Sequence, residues 1–118
     1  MSKSIMQDYE KHQCYLCMML YGDEFPKLYT EEHHVFGGPN RSISEHYGIK
    51  VRLCLKHHTV GPEAVHINAG NMDLLHKAGE KAFIRKYGYK EYMQQIRKNY
   101  LSEKEIKNCM DGRSNGNK

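Results

Sequence analysis

Cys14-Tyr15-Leu16-Cys17 and, forty positions after its first cysteine, Cys54-Leu55-Lys56-His57 decide how this chain folds. Each is a pair of metal-binding side chains separated by two residues, a spacing that a tight turn closes onto one cation. Together they offer three thiolates and one imidazole, a tetrahedral shell with no open position. Zinc suits that donor set better than calcium or magnesium, which prefer oxygen. The competing reading, Cys14 and Cys17 as a thioredoxin-like redox pair, requires a βαβ surround that the sequence lacks. Cys109 stands alone near a polar end. A disulfide framework is therefore not expected.

The rest of the composition explains why a metal is needed. Leu, Ile, Val and Phe number 22 of 118 residues, with a net charge of only +4. That is an ordered single domain with a thin core, of the kind that leans on a metal or a partner. The longest apolar run, Cys14 to Tyr21, is eight residues, far short of the roughly 20 that span a bilayer. Residues 1–8 carry no apolar leader, so a reducing cytoplasm is the expected compartment, and there cysteine serves metals more often than disulfides. Residues 1–71 hold 7 basic and 8 acidic side chains, whereas residues 72–118 hold 11 and 6. A near-neutral head with a basic tail suits an anionic partner, nucleic acid first among them, although solvated lysines on a wet helix face explain it too.

Two strands are predicted around the zinc motif. One runs from Glu31 to Phe36 and is closed by Gly37-Gly38-Pro39-Asn40. The other, Gly48 to Leu55, alternates Ile49, Val51, Leu53 and Leu55 with Lys50, Arg52 and Cys54. Gly61-Pro62 forbids an uninterrupted helix after His58. From Asn71 the period changes to three and four through Met72, Leu75, Ala78, Ala82 and Phe83, a helix ending near Gly88. Tyr92, Met93, Ile96 and Tyr100 mark a second helix, and Ser102 with Glu105 has the capping-box form for a short last turn. The fold class is thus α+β, a small zinc-stabilised core over about residues 12–70 with C-terminal helices over 71–108. Residues 1–108 form one domain and 109–118 a flexible tail.

Eight histidines are present, six of them between His33 and His66. Consecutive side chains on a strand project to opposite faces, so His33 and His34 have different jobs. His58 follows His57 and points away from the zinc toward a second place. With His66 beyond the Gly-Pro break, these histidines form a second, open metal site. His12, His46 and His76 read as ordinary surface or core residues.

Glu32-His33-His34-Val35-Phe36-Gly37-Gly38, followed by Leu53-Cys54-Leu55-Lys56-His57-His58, resembles the HNH endonucleases of the ββα-metal, or His-Me finger, superfamily. The likeness is to small phage and prophage members with a treble-clef-like zinc site, and it runs from about Cys14 to His66. It implies that His33 is a metal ligand and His34 the general base. It implies that His57 stands for the fourth zinc cysteine of many members, and His58 for the helix-borne ligand of the catalytic ion. The family's middle Asn has no counterpart at Ile49, and Asn40 is the nearby candidate for its supporting role. The Thr59-Val60-Gly61-Pro62 interruption leaves open whether His58, His66 or both hold the ion.

The implied function is metal-dependent DNA endonuclease, acting by a one-metal, histidine-general-base mechanism with Mg²⁺, Mn²⁺ or Zn²⁺/Ni²⁺. A neutral imidazole accepts a proton from water near physiological pH, which fits His34. Arg41 offers a planar fork to a phosphate, and Lys50, Arg52 and Lys56 offer backbone contacts. Lys77, Lys81 and Arg85 lie at i, i+4, i+8 and either track a duplex or face solvent. Tyr15, Tyr21 and Tyr29 are expected to pack the core. No base-reading motif is present, so double-stranded DNA with little sequence specificity is the expected partner, with phage packaging or recombination proteins beside it. The alternative is a non-catalytic zinc-binding module that binds DNA or a protein.

Overall fold

The sheet is shorter than the alternating pattern suggests, and side chains explain where it stops. In the computed structural model, which describes residues 2–115, β1 (Glu31–His34) pairs antiparallel with β2 (Lys50–Leu53). Glu31 lies opposite Leu53, Glu32 opposite Arg52, His33 opposite Val51 and His34 opposite Lys50. The Val35 N–H still donates to the Ile49 carbonyl at 3.0 Å. One residue on, the Ser44 hydroxyl accepts from the Phe36 N–H and donates to the Phe36 carbonyl, taking that residue out of the ladder. At the other end Cys54 caps the next helix instead of extending β2.

Before β1 comes α1 (Tyr15–Tyr21), and α2 (Arg41–Tyr47) fills the connection between the strands. The sequence reading places no helix at α2, whose two serines are poor helix formers. Gly48 ends it in the left-handed conformation at φ 76°, where an added Cβ would lie 2.1 Å from the Lys3 carbonyl oxygen. That close approach lets the Ile5 N–H reach the Gly48 carbonyl at 2.9 Å. Past β2, α3 (Leu55–His58) is a single turn. The described chain is completed by α4 (Ala69–Tyr87), α5 (Tyr89–Gln95) and α6 (Glu103–Asn115).

This is a small α+β protein in which α4 packs chiefly against α5 and α6, and α1 packs against β2. Val35, Ile49, Val51 and Leu53 share one buried cluster with Leu75, Phe83 and Ile84 of α4 and with Tyr92, Ile96, Leu101 and Cys109. At Gly79 the helix comes close to the end of the sheet, since a Cβ there would come within 2.9 Å of Ile49 Cγ2 and Val35 Cγ1. The capping box forms as expected, with the Glu105 N–H donating to Ser102 Oγ and the Ser102 N–H to Glu105 Oε1.

The helix it starts is longer than one turn. Helix α6 runs on through residues 109–115, and Cys109 is buried in the cluster that also holds Leu101, where α6 packs against α4. Residues 116–118, part of the predicted tail, lie outside the described residues. No helix among the described residues is long and apolar enough to cross a membrane.

Candidate metal centres and the histidine cleft

Two cysteines arrive on α1 and two further ligands on α3. Cys14 is the N-cap of α1, its sulfur accepting from the Cys17 N–H at 3.4 Å, so the helix start itself folds the pair together. Cys54 is the N-cap of α3, and the single turn that follows brings His57 back over it. His57 Nδ1 lies 3.5 Å from Cys14 Sγ, 3.5 Å from Cys17 Sγ and 3.4 Å from Cys54 Sγ. Cys17 Sγ and Cys54 Sγ are 3.9 Å apart. A zinc tetrahedron with ordinary bond lengths has S···N edges of about 3.6 Å and S···S edges of about 3.8 Å. These four edges match, and with all four atoms within 4.8 Å of one another the group could hold such an ion.

Burial first, then the neighbouring thiols, pushes Cys17 up to about 12, and burial raises Cys14 as well. Three thiolates can share this space only around a cation. His57 has its other ring nitrogen, Nε2, 3.3 Å from Glu63 Oε1, and Tyr21 donates to the same carboxylate. That carboxylate accepts a hydrogen bond from Nε2–H, which leaves Nδ1 as the atom free to ligate.

On the other side of the same peptide bond, His58 faces a different group. The ring centroids of His33, His58 and His66 are 5.3, 5.5 and 5.2 Å apart, and one nitrogen of each lies within 4.8 Å of the others. His33 enters from β1 and His58 from α3. His66 arrives because the Val65 N–H donates to the His57 carbonyl at 2.8 Å, folding the chain after Gly61-Pro62 back over α3.

His33 is 6% exposed, and its Nε2 is buried with no hydrogen-bond partner. Burial first, then His58 and His66, hold its pKa down to about 3, so the ring presents a neutral lone pair. His58 Nδ1 lies 2.8 Å from Glu31 Oε1, and Tyr29 donates to that carboxylate's other oxygen at 2.8 Å. An orphaned buried nitrogen beside two further imidazoles, one already oriented by a carboxylate, fits a divalent cation.

These residues line a cleft of about 500 Å³ that also takes in His34, Gly37, Gly38, Arg41 and His76. His33 and His34 do project to opposite faces. His34 Nε2 is 2.7 Å from Glu45 Oε1, on the face it shares with Lys50. Glu32, His34 and Glu45 form a third group of ligand-type atoms, but Lys50 Nζ stands among them, 3.0 Å from Glu45 Oε2 and 3.3 Å from Glu32 Oε2.

The other predicted residues fall in and out of the cleft. Arg41 is on its rim and exposed, whereas Asn40, the N-cap position of α2, is not among the lining residues. Arg52 donates to the Thr30 carbonyl and hydroxyl and lies over the Tyr9 ring. Lys56 pairs with Glu63 beside the cysteines, 3.4 Å away. Lys50 is a correction to the predicted phosphate contact, since it is 1% exposed and neutralised internally. Tyr21 and Tyr29 are exposed and hold Glu63 and Glu31 rather than packing the core.

Lys77, Lys81 and Arg85 line a separate groove with Met6 and Met19, away from the histidines. Residue chemistry missed from the sequence comprises Glu31, Glu45 and Glu63. Glu31 was recoverable, being two residues before His33 and so on the same strand face. Glu45 and Glu63 carry no spacing signal. Comparison with family models, curated proteins and solved structures finds no match to this chain.

Proposed function

We propose that this protein is a metal-dependent DNA endonuclease of HNH type, with a ββα-metal, treble-clef-like core and a structural zinc at Cys14, Cys17, Cys54 and His57. One observation carries the reading: His33, His58 and His66 converge on one point, with the buried His33 Nε2 unpartnered, in the cleft that His34 also lines. Both His58 and His66 face that point, so both are assigned as ligands.

A divalent ion there (Mg²⁺, Mn²⁺ or Zn²⁺/Ni²⁺) would supply Lewis acidity at the scissile phosphate and the departing 3′-oxygen. The chain does the rest. His34 takes the proton of the attacking water. Glu31 holds the His58 ring in place, its carboxylate accepting the Nδ1 proton. Arg41 grips a neighbouring phosphate from the rim, with Asn40 supporting that loop. The exposed Lys56 and the partly engaged Arg52 add contacts of lesser weight. With no base-reading element, binding follows duplex shape and charge. The bacterial cytoplasm, and phage packaging or recombination proteins as partners, belong to the same proposal.

The test is nicking of supercoiled plasmid by the zinc-loaded protein with each divalent metal in turn. Wild type is expected to cleave, and His34→Ala to lose about 10²–10⁴ in rate, with zinc content and circular dichroism unchanged. If wild type cleaves with none of the metals, or the variant cleaves equally well, the protein is instead a non-catalytic zinc module that binds DNA or a protein.

A further inference from the structure

The group that His34 joins, at the edge of the cleft lined by the three histidines, has a different logic. Glu45 comes from α2, the helix between the strands, and its carboxylate meets His34 Nε2 at 2.7 Å and Lys50 Nζ at 3.0 and 3.1 Å. Lys50 Nζ also lies 3.3 Å from Glu32 Oε2. A divalent ion among Glu32, His34 and Glu45 would have to displace or face a buried ammonium, so the internal cation already fills that role.

A carboxylate can only accept a hydrogen bond. Hydrogen bonds from His34 first, then Lys50, hold Glu45 down to about 2, so it is ionised throughout the working range. The nitrogen facing it must therefore carry the proton.

We infer that Glu45, clamped by Lys50, is the positioning residue for His34, fixing the ring in the tautomer protonated at Nε2 and leaving Nδ1 as the acceptor for water. This rests on the nuclease reading for its catalytic consequence, but the tautomer itself does not. Every member of the chain from Lys50 through Glu45 to His34 belongs to a regular element, which limits how the ring can turn.

Two measurements on the zinc-loaded full chain at one neutral pH test it. Long-range ¹H–¹⁵N spectra read the tautomer of His34, and plasmid nicking gives kcat and KM. Wild type is expected to show protonated Nε2 and bare Nδ1. Glu45→Gln, whose amide oxygen accepts the same bond, should keep that tautomer and kcat to within about fivefold. Glu45→Leu should give a tautomer mixture and lose about 10–100-fold in kcat, with KM and zinc content unchanged. Because Glu45→Leu leaves the buried Lys50 charge with Glu32 alone, Glu45→Leu with Lys50→Met is made beside it and should show the same tautomer mixture and kcat loss in a folded protein.

A wild-type ring protonated at Nδ1 overturns the inference, as does an apolar variant that keeps both the fixed tautomer and kcat. So does metal binding that disappears with Glu45 alone. Absence of cleavage in every form would remove the nuclease reading, while the spectra would still decide whether Glu45 sets the ring.

Discussion

Glu80 sits in the middle of α4 with no exposed surface, its Oε1 accepting from the Tyr100 N–H at 2.7 Å and its Oε2 without a partner. The nearby Tyr92 hydroxyl gives its proton to the Lys98 carbonyl at 2.5 Å. Burial pushes this carboxyl above its ordinary range, the Tyr100 N–H pulling partly the other way. A carboxyl with a raised folded pKa binds its proton more tightly folded than unfolded. Its contribution is thus complete below the ordinary value near 4.5 and is lost as pH rises through the raised one. Glu80→Gln keeps the bond to Tyr100 and has no proton to lose. Its melting temperature should gain on wild type between about pH 5 and pH 8, and paired thermal melts at those two values check the sign.

At the scale of elements, the close approach of α4 to the end of the sheet depends on a missing side chain. Gly79→Ala improves helix propensity by about 1 kcal/mol but places its methyl 2.9 Å from Ile49 and Val35, both immobile core residues. Overpacking of this kind costs about 1–3 kcal/mol, so net loss of stability is expected, read as a lower urea midpoint at unchanged slope. Elements with a strong period were legible in the sequence. The second strand and α4 carry repeats of two and of three and four, the first strand is marked by the Gly37-Gly38-Pro39-Asn40 that closes it, and the capping box announces α6. The α2 helix was not legible, because seven residues with serines at 42 and 44 and its ends set by Gly37–Asn40 and Gly48 give no period to count. Glu45 and the burial of Lys50 were hidden with it, since both follow from how α2 folds back against β1 and sets Glu45 beside His34 and Lys50. The extent of α6 was missed for the opposite reason: its polar composition resembles a tail, and only docking against α4 orders it.

For the molecule as a whole, the sequence spoke most clearly about ligands. Cys-x2-Cys and Cys-x2-His are local spacings that survive without knowledge of the fold, and all four side chains meet. The three-histidine group was legible only in part, because His66 reaches it through a turn whose path depends on a long-range bond from Val65 to His57. A fold worth about 5–15 kcal/mol in total is no match for the loss of a zinc site worth about 10–16. One tightly held zinc per chain is expected by elemental analysis. Its removal by a strong chelator, or Cys54→Ser, should abolish the cooperative thermal transition, and a metal-free chain with an unchanged transition would contradict this.

His57 and His58 are neighbours in the chain, yet they belong to two different groups of side chains that could each hold a metal ion. A single peptide bond therefore joins the two clusters, with no intervening loop. On the proposed reading, removing the zinc should displace His58 along with His57, so that metal stripped from the first cluster would cost the chain its cleavage site as well as its fold.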